Sequence, residues 1–591
     1  MAMLVACGDD DGGARDSGID GSVDGGEVGA GTCEDPIVLV AESEVSPGIF
    51  RLEGTTEGAQ NREEGSCSEN RAPEVVFRWT APAEGFVRAD LSGPDPVLYV
   101  REGCAEDTEV ACNDDVNDDV LNSRVIFRAQ AGVTYSFVAD SFDGEEAGAF
   151  VLDIDTTYEP SITIPNGTWV SRGYGLILDA SDESVALYEE TSISCIRVLD
   201  GSIADLDALI AEVVQDGELL RVRPRGTLAP YTFDRAPLPE RCQDGGTPVF
   251  GSPGYERDAL QLWDIMSATF DEHYAHFARR GVDWSARSAS LRSTLDAESS
   301  DLRLFDAMSE IFGELRDGHV SLEAGESEFA SDEFPIVARL REEHTMFGSG
   351  MAFDAYLGEA FQAYLANTND ALVDGVDNDT DEISWGRLAS DVGYLRLLGI
   401  ETDDEEAFAS TLDSRLAALS DTHTLVIDLR INTGGSDSTS LILASRFAAE
   451  RTLALTKAAR DGEGTTDPFE VWVEPAGTRY EGRVLVLTSE STVSAAEILV
   501  LMLRELPQVV VLGQPTNGEL SDIFGRTLPN GWSFGLSNEI YTAADGEVYE
   551  AIGIPVDVPI EEDFFARADR LAGVDRGLAE VVRWLSENPP E

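Results

Sequence analysis

The segment STVSAAEILVLMLREL, residues 491–506, places a serine at the start of an apolar helix. A side chain at this point, Ser494, lies beside unsatisfied backbone N–H groups and the positive end of the helix dipole, which favour a developing negative charge on oxygen. The pattern therefore predicts a nucleophile. The alternative is that Ser494 only caps the helix and that Glu497 completes a capping box, since S-x-x-E is a common spacing.

A pair of glycines follows a second apolar strand, in TLVIDLRINTGGSDS. Gly434 and Gly435 stand at a strand-to-helix turn, where the lack of a Cβ leaves backbone N–H groups approachable, as an oxyanion hole requires. Tight packing between the strand and the helix explains such a pair equally well. The glycines alone therefore do not distinguish an oxyanion hole from tight packing, and they support an oxyanion hole only together with Ser494.

A nucleophilic serine needs a base, and the chain has five histidines and a single lysine, Lys457. In GELRDGHVSLE, His319 follows a predicted helix, and Gly318 would let the backbone turn sharply to present the imidazole. A lone histidine is more often structural than catalytic. The other four histidines lie in segments that suggest no matching role, so His319 is the candidate base.

Taken in order along the chain, these blocks resemble peptidase family S41, which includes the tail-specific and tricorn-type serine proteases. The resemblance covers roughly residues 256–570, through LRDGHVSL, GYLRLLGI, LVIDLRINTGG, VLVLTSESTVSAAEIL and YEAIGIPVDVPI. It implies an α/β core of the ClpP/crotonase type, preceded by a helical subdomain. It also implies hydrolysis of peptide bonds in peptides or unfolded proteins, without a cofactor or a metal.

The family uses two kinds of base. In the tail-specific branch a lysine lies in a T-x-G-K-G stretch, but this chain reads TNGELSD and has Glu519 at the lysine position. A carboxylate cannot replace a lysine whose pKa is lowered by desolvation, so a Ser–Lys dyad is excluded. The tricorn-type branch uses a histidine, matched by His319, and a glutamate, matched by Glu550.

The resemblance thus implies a Ser–His–Glu arrangement in a further chain order. Ser494 would attack the scissile carbonyl, His319 would take and return the proton, and Glu550 would hold the imidazole in the required tautomer. The backbone N–H groups expected to bind the oxyanion are those of Ala495 and of Gly434 or Gly435.

The chain departs from the tricorn pattern at two places. That pattern has a serine before the histidine, where this chain has Gly318, so the auxiliary hydroxyl is missing or supplied from elsewhere. The last block also reads GIPVDV, where a proline usually precedes the aspartate. No PDZ pattern is found between residues 326 and 384, which makes capture of a substrate through its C-terminal carboxylate less expected.

The first part of the chain is rich in short alternating runs separated by turn residues, which predict a β-sandwich resembling the pre-peptidase C-terminal-type accessory domains. A second β-rich unit, predicted as a small antiparallel domain, follows. The expected domains are a signal remnant with a flexible acidic linker (1–32), the sandwich (33–157), the small β domain (160–240), a helical subdomain (253–325), an insertion in place of a PDZ domain (326–384), the α/β core (385–570) and a C-terminal helix (571–591).

The cysteines indicate an oxidising compartment. Apart from Cys7, six cysteines lie before residue 243, an even number that fits disulfides in the N-terminal modules. Proximity in the sequence predicts the pairs Cys33–Cys67, Cys104–Cys112 and Cys195–Cys242. No cysteine or histidine spacing supports metal ligation instead.

The N-terminus, MAMLVACGDDDGG, resembles a bacterial lipobox followed by a lipoprotein tether, with Cys7 as the lipid-anchored residue. The basic region and most of the apolar region of a signal peptide are missing. The resemblance predicts export to the cell envelope or the extracellular space. No run of 18 or more apolar residues occurs, so no membrane-spanning helix is expected.

The chain is strongly acidic, with 112 acidic and 41 basic residues and a net charge of −71. Nucleic acids and anionic membranes are therefore not expected as partners, because both require local positive charge. The simpler explanation is a solvated surface suited to salty surroundings, and a field that attracts cationic peptides is the alternative. In CNDDVNDD, Asp114, Asp115, Asp118 and Asp119 could hold calcium, but a solvated loop is the preferred interpretation.

Two other functions remain open at this stage. The same fold can serve a non-catalytic protein that binds ligands or peptides, since fold alone does not determine function. The two β modules could instead make the protein a surface adhesin or scaffold. An intact set of nucleophile, base and acid favours the peptidase.

Overall fold

The computed structural model describes residues 31–589, apart from 41–43, 60–61, 68–71, 106–107, 115–121, 143–146, 182–183, 208, 326, 349, 374, 381–382 and 403. The described chain divides into two compact units. The first contains the residues up to Thr163 together with Ser202–Leu209, and the second contains Ile164–Gly201 and the chain from Ile210 onward. The predicted anchor at Cys7 and the acidic residues Asp115, Asp118 and Asp119 lie outside the described residues.

The first unit is a β-sandwich. Its strands are β1 (Ile37–Val38), β2 (Glu44–Ser46), β3 (Ile49–Thr55), β4 (Val75–Thr80), β5 (Gly85–Ser92), β6 (Pro96–Glu102), β7 (Glu109–Asn113), β8 (Ser123–Ala129), β9 (Thr134–Ser141) and β10 (Ala149–Asp155). They form two five-stranded sheets, in the orders β1–β4–β9–β6–β7 and β2–β3–β10–β5–β8. Buried and more exposed residues alternate along β8, as the two-residue period of a strand requires. One apolar core lies between the sheets, with Phe77, Phe127 and Phe150 among its members.

Two of the three predicted disulfides are wrong. The sandwich contains Cys33–Cys104 and Cys67–Cys112, with Cα–Cα distances of 5.8 and 5.7 Å. β6 and β7 are antiparallel neighbours in which Cys112 lies opposite Tyr99. Cys104 is five residues beyond Tyr99, on the order of 15 Å along the strand direction, which is too far for a disulfide. The sheet register therefore decides the pairing, and nearness in the sequence does not.

The second unit begins with a small β domain, which confirms the predicted class. Its strands are β11 (Gly167–Ser171), β12 (Leu176–Ser181), β13 (Ser184–Glu190), β14 (Cys195–Ser202), β15 (Ile210–Asp216), β16 (Leu219–Pro224) and β17 (Tyr231–Arg235), and they form one sheet in the order β14–β13–β12–β11–β17–β16–β15. The short helix α1 (Ile203–Asp207), which belongs to the first unit, lies between β14 and β15 in sequence. The predicted bond Cys195–Cys242 is present.

A helical subdomain follows, where the three- and four-residue spacing of apolar side chains predicts it. Its helices are α2 (Ala259–His273), α3 (Phe277–Arg280), α4 (Trp284–Arg292) and α5 (Asp301–Gly313). The side chain of Asp258 accepts the N–H groups of Leu260 and Gln261 and so starts α2. The apolar faces of α2 and α5 share one core, in which Trp263 and Phe312 are fully buried.

The rest of the second unit holds the α/β core. Its strands are β18 (Ser321–Ala324), β19 (Ser327–Ala330), β20 (Val376–Asn378), β21 (Ile383–Ala389), β22 (Val392–Leu397), β23 (Thr424–Asp428), β24 (Thr452–Asp461), β25 (Gly464–Thr465), β26 (Phe469–Val473), β27 (Arg483–Thr488), β28 (Val509–Gly513), β29 (Ile523–Thr527), β30 (Ser533–Ser537), β31 (Glu539–Ala543) and β32 (Val558–Pro559). Its helices are α6 (Pro335–Phe347), α7 (Phe353–Asp370), α8 (Glu405–Ala418), α9 (Asp437–Ser445), α10 (Ala495–Arg504), α11 (Arg567–Leu571) and α12 (Arg576–Glu587).

The central sheet has the order β20–β21–β22–β23–β27–β28–β32, and the strands from β22 to β32 run parallel. A second sheet, β19–β18–β30–β29, includes the strand after His319, and a third contains β24, β25, β26 and β31. Every residue from Ala495 to Leu503 in α10 is buried, which explains why this helix is apolar on all sides. Two helices, α6 and α7, occupy much of the segment predicted as an insertion. The predicted α/β fold with its helical subdomain is confirmed.

The parallel sheet also decides where the site forms. β23 and β27 are adjacent and parallel, so the loops at their carboxyl ends meet at one edge of the sheet. The first loop carries Gly434 and Gly435, and the second carries Ser494. Among the described residues, no helix is long and apolar enough to cross a bilayer.

Candidate active site

Ser494 lies in a strained turn between β27 and α10. Its backbone has φ 58° and ψ −129°, a left-handed conformation that serine rarely adopts. Such strain persists only where the surroundings over-determine it, and it is concentrated at functional sites. A sharp strand-to-helix turn of this kind exposes the hydroxyl of a nucleophile. The residue is half-buried, so its hydroxyl is in reach of solvent.

The turn is held by Glu497, a fully buried carboxylate one turn into α10. Its Oε2 accepts the N–H of Ser494 at 3.3 Å and of Glu519 at 2.8 Å, and its Oε1 accepts the N–H of Gly518 at 2.8 Å. The Ser494 N–H also donates to the carbonyl of Glu519 at 3.0 Å. Burial raises the pKa of Glu497 to about 8, and hydrogen bonds from the Thr516 hydroxyl and from the N–H groups of Glu519 and Gly518 partly offset that shift. Glu497 therefore does more than cap a helix, because it ties the serine turn to the loop that carries Glu519.

Of the predicted oxyanion residues, Gly434 and Ala495 lie close to the Ser494 side chain, and Gly435 packs against the backbone of Ile400. A Cβ on Gly434 would lie 2.7 Å from Cβ of Ser494, 3.2 Å from its Oγ and 3.2 Å from the nitrogen of Ala495, so only a glycine fits there. The Gly434 N–H already donates to Oδ1 of Asn432 at 2.8 Å. By contrast, the N–H groups of Gly435 and Ala495 have no hydrogen-bond acceptor among the described residues. Gly435 and Ala495 are therefore the predicted oxyanion residues whose N–H groups are not already bonded to a described residue.

His319 lies between α5 and β18 and is 6% exposed. Its backbone N–H donates to Oδ1 of Asp317 at 3.1 Å, and Asp317 is held in turn by the hydroxyls of Tyr274 (2.7 Å) and Ser537 (3.2 Å). The ring nitrogen Nδ1 is buried and has no hydrogen-bond partner among the described residues. Buried polar atoms rarely lack a hydrogen-bond partner, so Nδ1 of His319 has a donor or acceptor capacity that no described residue uses.

Glu550, the predicted orienting glutamate, is fixed by other groups. Its Oε1 accepts from Nη2 of Arg280 at 2.9 Å, and its Oε2 accepts the N–H groups of Leu520 (2.9 Å) and Ser521 (3.2 Å). Among the described residues, no hydrogen bond joins Glu550 to His319. Glu550 thus positions the backbone just after Glu519.

Glu519 is a residue of the site that the sequence assigned no role. Its carboxylate accepts the N–H of Gly318 at 2.7 Å, and the residue is 7% exposed. Burial raises the pKa of Glu519, while the positive charge available on His319 opposes that shift. The signal that could have found it was the charge reversal in TNGELSD, because a glutamate in the lysine position places a carboxylate in the catalytic loop.

Lys457 cannot serve as the base in this arrangement. Its fully buried Nζ lies 2.5 Å from Oδ2 of Asp522 and 2.9 Å from Oε2 of Glu539. Burial alone would lower the pKa of Lys457, but the two carboxylates outweigh it and raise the pKa well above the usual value. An ammonium held in this way stays charged and does not accept a proton. Among the described residues, no cluster has the composition of a metal site.

A strained serine, with Gly434 and the Ala495 nitrogen close to it, therefore lies at the carboxyl edge of a parallel sheet. Residues 391–560 match the model of peptidase family S41, and this stretch includes Ser494, the two glycines and Glu550. The chain therefore contains a serine peptidase domain of family S41. His319 lies before the matched stretch.

Several solved structures resemble this chain at low sequence identity. A candidate peptidase from Parabacteroides merdae ATCC 43184 is 24% identical over 56% of this chain and 97% of its own, with a TM-score of 0.47. A candidate S41 protease from Bacteroides fragilis NCTC 9343 is 22% identical over 33% of this chain and 54% of its own, with a TM-score of 0.28. The tricorn protease is 15% identical over 70% of this chain and 46% of its own, with a TM-score of 0.34.

Proposed function

We propose that the protein is an exported serine endopeptidase or oligopeptidase that uses Ser494 as its nucleophile and His319 as its general base. The observation that carries this proposal is the left-handed turn at Ser494, with the Ala495 N–H and the Gly434 backbone beside its hydroxyl. A helix cap does not require this conformation, whereas an exposed nucleophile does.

In the proposed reaction, Ser494 Oγ attacks the carbonyl carbon of the scissile peptide bond as its proton passes to Nε2 of His319. The carbonyl oxygen becomes an oxyanion, which the N–H groups of Gly435 and Ala495 stabilise by hydrogen bonding. His319 then gives the proton to the leaving amine, and the C–N bond breaks. Water hydrolyses the resulting serine ester by the same steps, with His319 again acting as base and then as acid.

Glu550 keeps a supporting role in this proposal. Through Arg280 it is linked to the loop that carries the base, because Nη2 of Arg280 also lies 3.8 Å from Asp317. Through its two backbone contacts it fixes the chain beside Glu519. These contacts make Glu550 a positioning residue of the predicted Ser–His–Glu set.

Export and the nature of the substrate are parts of the same proposal. Three disulfides fit an oxidising compartment outside the cytosol, and the Cys7 segment adds a lipid anchor in the cell envelope. The substrate class follows from the family, which acts on peptides and proteins.

The test is labelling of the full chain with a fluorophosphonate probe, followed by peptide mapping and by cleavage of a peptide library. We expect an adduct on Ser494 and peptide cleavage, both lost in Ser494→Ala and His319→Ala. The matched controls are Ser586→Ala and His423→Ala, which change exposed residues of the same types. A folded protein without an adduct or cleavage would overturn the proposal and favour a binding protein on the same core.

A further inference from the structure

Two groups with complementary hydrogen-bonding capacity lie on either side of Gly318 in the contact network, His319 next to it in the chain and Glu519 bonded to its N–H. Nδ1 of His319 is buried and has no partner among the described residues. Glu519 uses Oε1 to accept the N–H of Gly318, and its Oε2 accepts no hydrogen bond from any described residue. An imidazole N–H and a carboxylate oxygen are a natural donor and acceptor. Nδ1–H of His319 lacks an acceptor, and Oε2 of Glu519 lacks a donor.

The neighbouring carboxylates are already occupied. Both oxygens of Asp317 accept hydrogen bonds, from the His319 N–H and the Ser537 hydroxyl on one side and from the Tyr274 hydroxyl on the other. Both oxygens of Glu550 are bonded as well, to Arg280 and to two backbone N–H groups. Of these three carboxylates, only Glu519 keeps an oxygen, Oε2, that accepts no hydrogen bond from a described residue.

Gly318 provides the space for this carboxylate. A Cβ on Gly318 would lie 2.5 Å from Oε2 and 2.8 Å from Oε1 of Glu519, closer than non-bonded atoms approach. A side chain at position 318 and the present position of Glu519 therefore exclude each other. The chain has a glycine where the tricorn pattern has a serine, and a glutamate where the tail-specific pattern has a lysine. The missing side chain at position 318 leaves the space that the Glu519 carboxylate occupies.

We propose that Glu519 is the positioning residue of the catalytic histidine, with its carboxylate accepting Nδ1–H of His319 in place of the missing serine hydroxyl. The inference rests on the proposed function, since it assigns the partner of the proposed base. The hydrogen bond fixes the tautomer in which Nε2 is free to take the proton of Ser494, and the negative charge stabilises the imidazolium that forms.

The charges around the imidazole come from several elements. Asp317 lies two residues before it, Glu519 and Asp522 lie in the loop between β28 and β29, and Arg280 lies at the end of α3. Arg280 is paired with Glu550, and Asp522 with Lys457. Arg280 and Lys457 already neutralise Glu550 and Asp522. A change of charge at Glu519 should therefore change the pKa of His319 directly.

The test compares Glu519→Gln with Glu550→Gln in the full chain. Glutamine at 519 keeps an oxygen for the Gly318 N–H but removes the charge. We expect kcat to fall about 10²-fold or more with KM changed less than about threefold, and the acidic limb of the pH–rate profile to move to lower pH. Glu519→Asp should keep the limb near its original pH. Glu328→Gln, on exposed β19, is the matched control and should change neither quantity.

A second measurement does not depend on activity. In protein with labelled histidines, nuclear magnetic resonance titration gives the pKa of His319, whose signal is assigned by its loss in His319→Ala. Glu519→Gln should lower this pKa by more than Glu550→Gln does. An unchanged His319 pKa in Glu519→Gln, or a larger shift in Glu550→Gln, would overturn the inference even in a protein that cleaves nothing. Absence of cleavage by the unmodified chain would count only against the proposed function.

The reciprocal variant uses the space at Gly318. Gly318→Ser should displace the Glu519 carboxylate and lower kcat as Glu519→Gln does. In the double variant Gly318→Ser with Glu519→Ala, a hydroxyl takes the vacated position, and we expect kcat above that of Glu519→Ala alone. Additive losses in the double variant would mean that the two positions do not share one role.

Discussion

Arg430 and Arg280 are each the buried cation of a carboxylate cluster, but the two clusters differ in how many of their buried polar atoms form hydrogen bonds. Arg430 is fully buried, and all three of its side-chain nitrogen atoms donate to Asp428 or Asp575 at 2.6 to 2.9 Å. In the cluster around Arg280, by contrast, the arginine Nε and Nδ1 of His319 are both buried without a partner among the described residues.

The two clusters differ in how much of their hydrogen-bonding capacity is used. A fully satisfied network gives a rigid, single arrangement, and the Arg430 cluster joins the end of β23 to α12, which Asp575 caps through the N–H of Leu578. The cluster around His319 leaves Nδ1 of the ring without a partner among the described residues, and our proposal assigns Glu519 to this nitrogen.

Arg430→Met should break the satisfied cluster with the largest effect on stability. It leaves Asp428 and Asp575 buried without a counter-charge, so we expect the free energy of unfolding to fall by about 3–5 kcal/mol. Urea unfolding followed by circular dichroism measures the loss. The matched control is Arg583→Met, because the ion pairs of Arg583 are exposed to solvent and should contribute little to stability. A loss of similar size in both variants would remove the contrast.

Arg280→Met applies the same change to the cluster around the catalytic loop. Asp317 and Glu550 keep other hydrogen-bond donors, so we expect a smaller stability loss, about 2 kcal/mol. Burial by itself would raise the pKa of Asp317, but Arg280 and other partners bring it below the usual value. The variant should therefore also lose kcat, because the loop before His319 is no longer held. Full activity together with reduced stability would show that Arg280 serves only the fold.

Asp575→Asn tests the pH dependence of the satisfied cluster and should have the smallest effect. Burial alone would raise the pKa of Asp575, but Arg430 outweighs it and lowers the pKa below the usual value. An acid of this kind stabilises the fold above its ordinary pKa, and the contribution is lost as the pH falls through the folded-state pKa. We expect the variant to be less stable than the unmodified chain by about 1–2 kcal/mol at pH 7, with the gap closing below about pH 4. Urea midpoints at several pH values check this, and a constant gap would contradict it.

The fold could be predicted from the sequence because its signals are local. Alternating apolar and polar residues predicted the strands of the sandwich, and apolar residues spaced three and four apart predicted α2 and α5. An apolar strand before Gly434-Gly435 predicted the sheet edge at which the candidate site lies. The disulfide pairing could not be predicted, because Cys33–Cys104 and Cys67–Cys112 depend on which strands are neighbours in a sheet. That information is not contained in the distance along the chain.

From the sequence, the site can be predicted only where one residue type carries the proposed chemistry. The structure places Gly434 against Ser494 and Ala495 and buries His319 in its loop, and their catalytic roles stay a prediction. The surroundings of the base were beyond the sequence, since the glutamate that contacts Gly318 comes from a loop about 200 residues away. Glu519 in the lysine position indicated only that a lysine base is absent, and it did not indicate a contact with the histidine loop.

The left-handed backbone at Ser494 has a consequence for how this chain can change over time. A glycine there would adopt the same φ and ψ without steric cost, whereas the serine retains a strain of about 1–3 kcal/mol. Under the proposed function, stability and turnover are therefore opposed at this one residue. Selection for a more stable fold alone would favour glycine at position 494, whereas the proposed nucleophile requires serine.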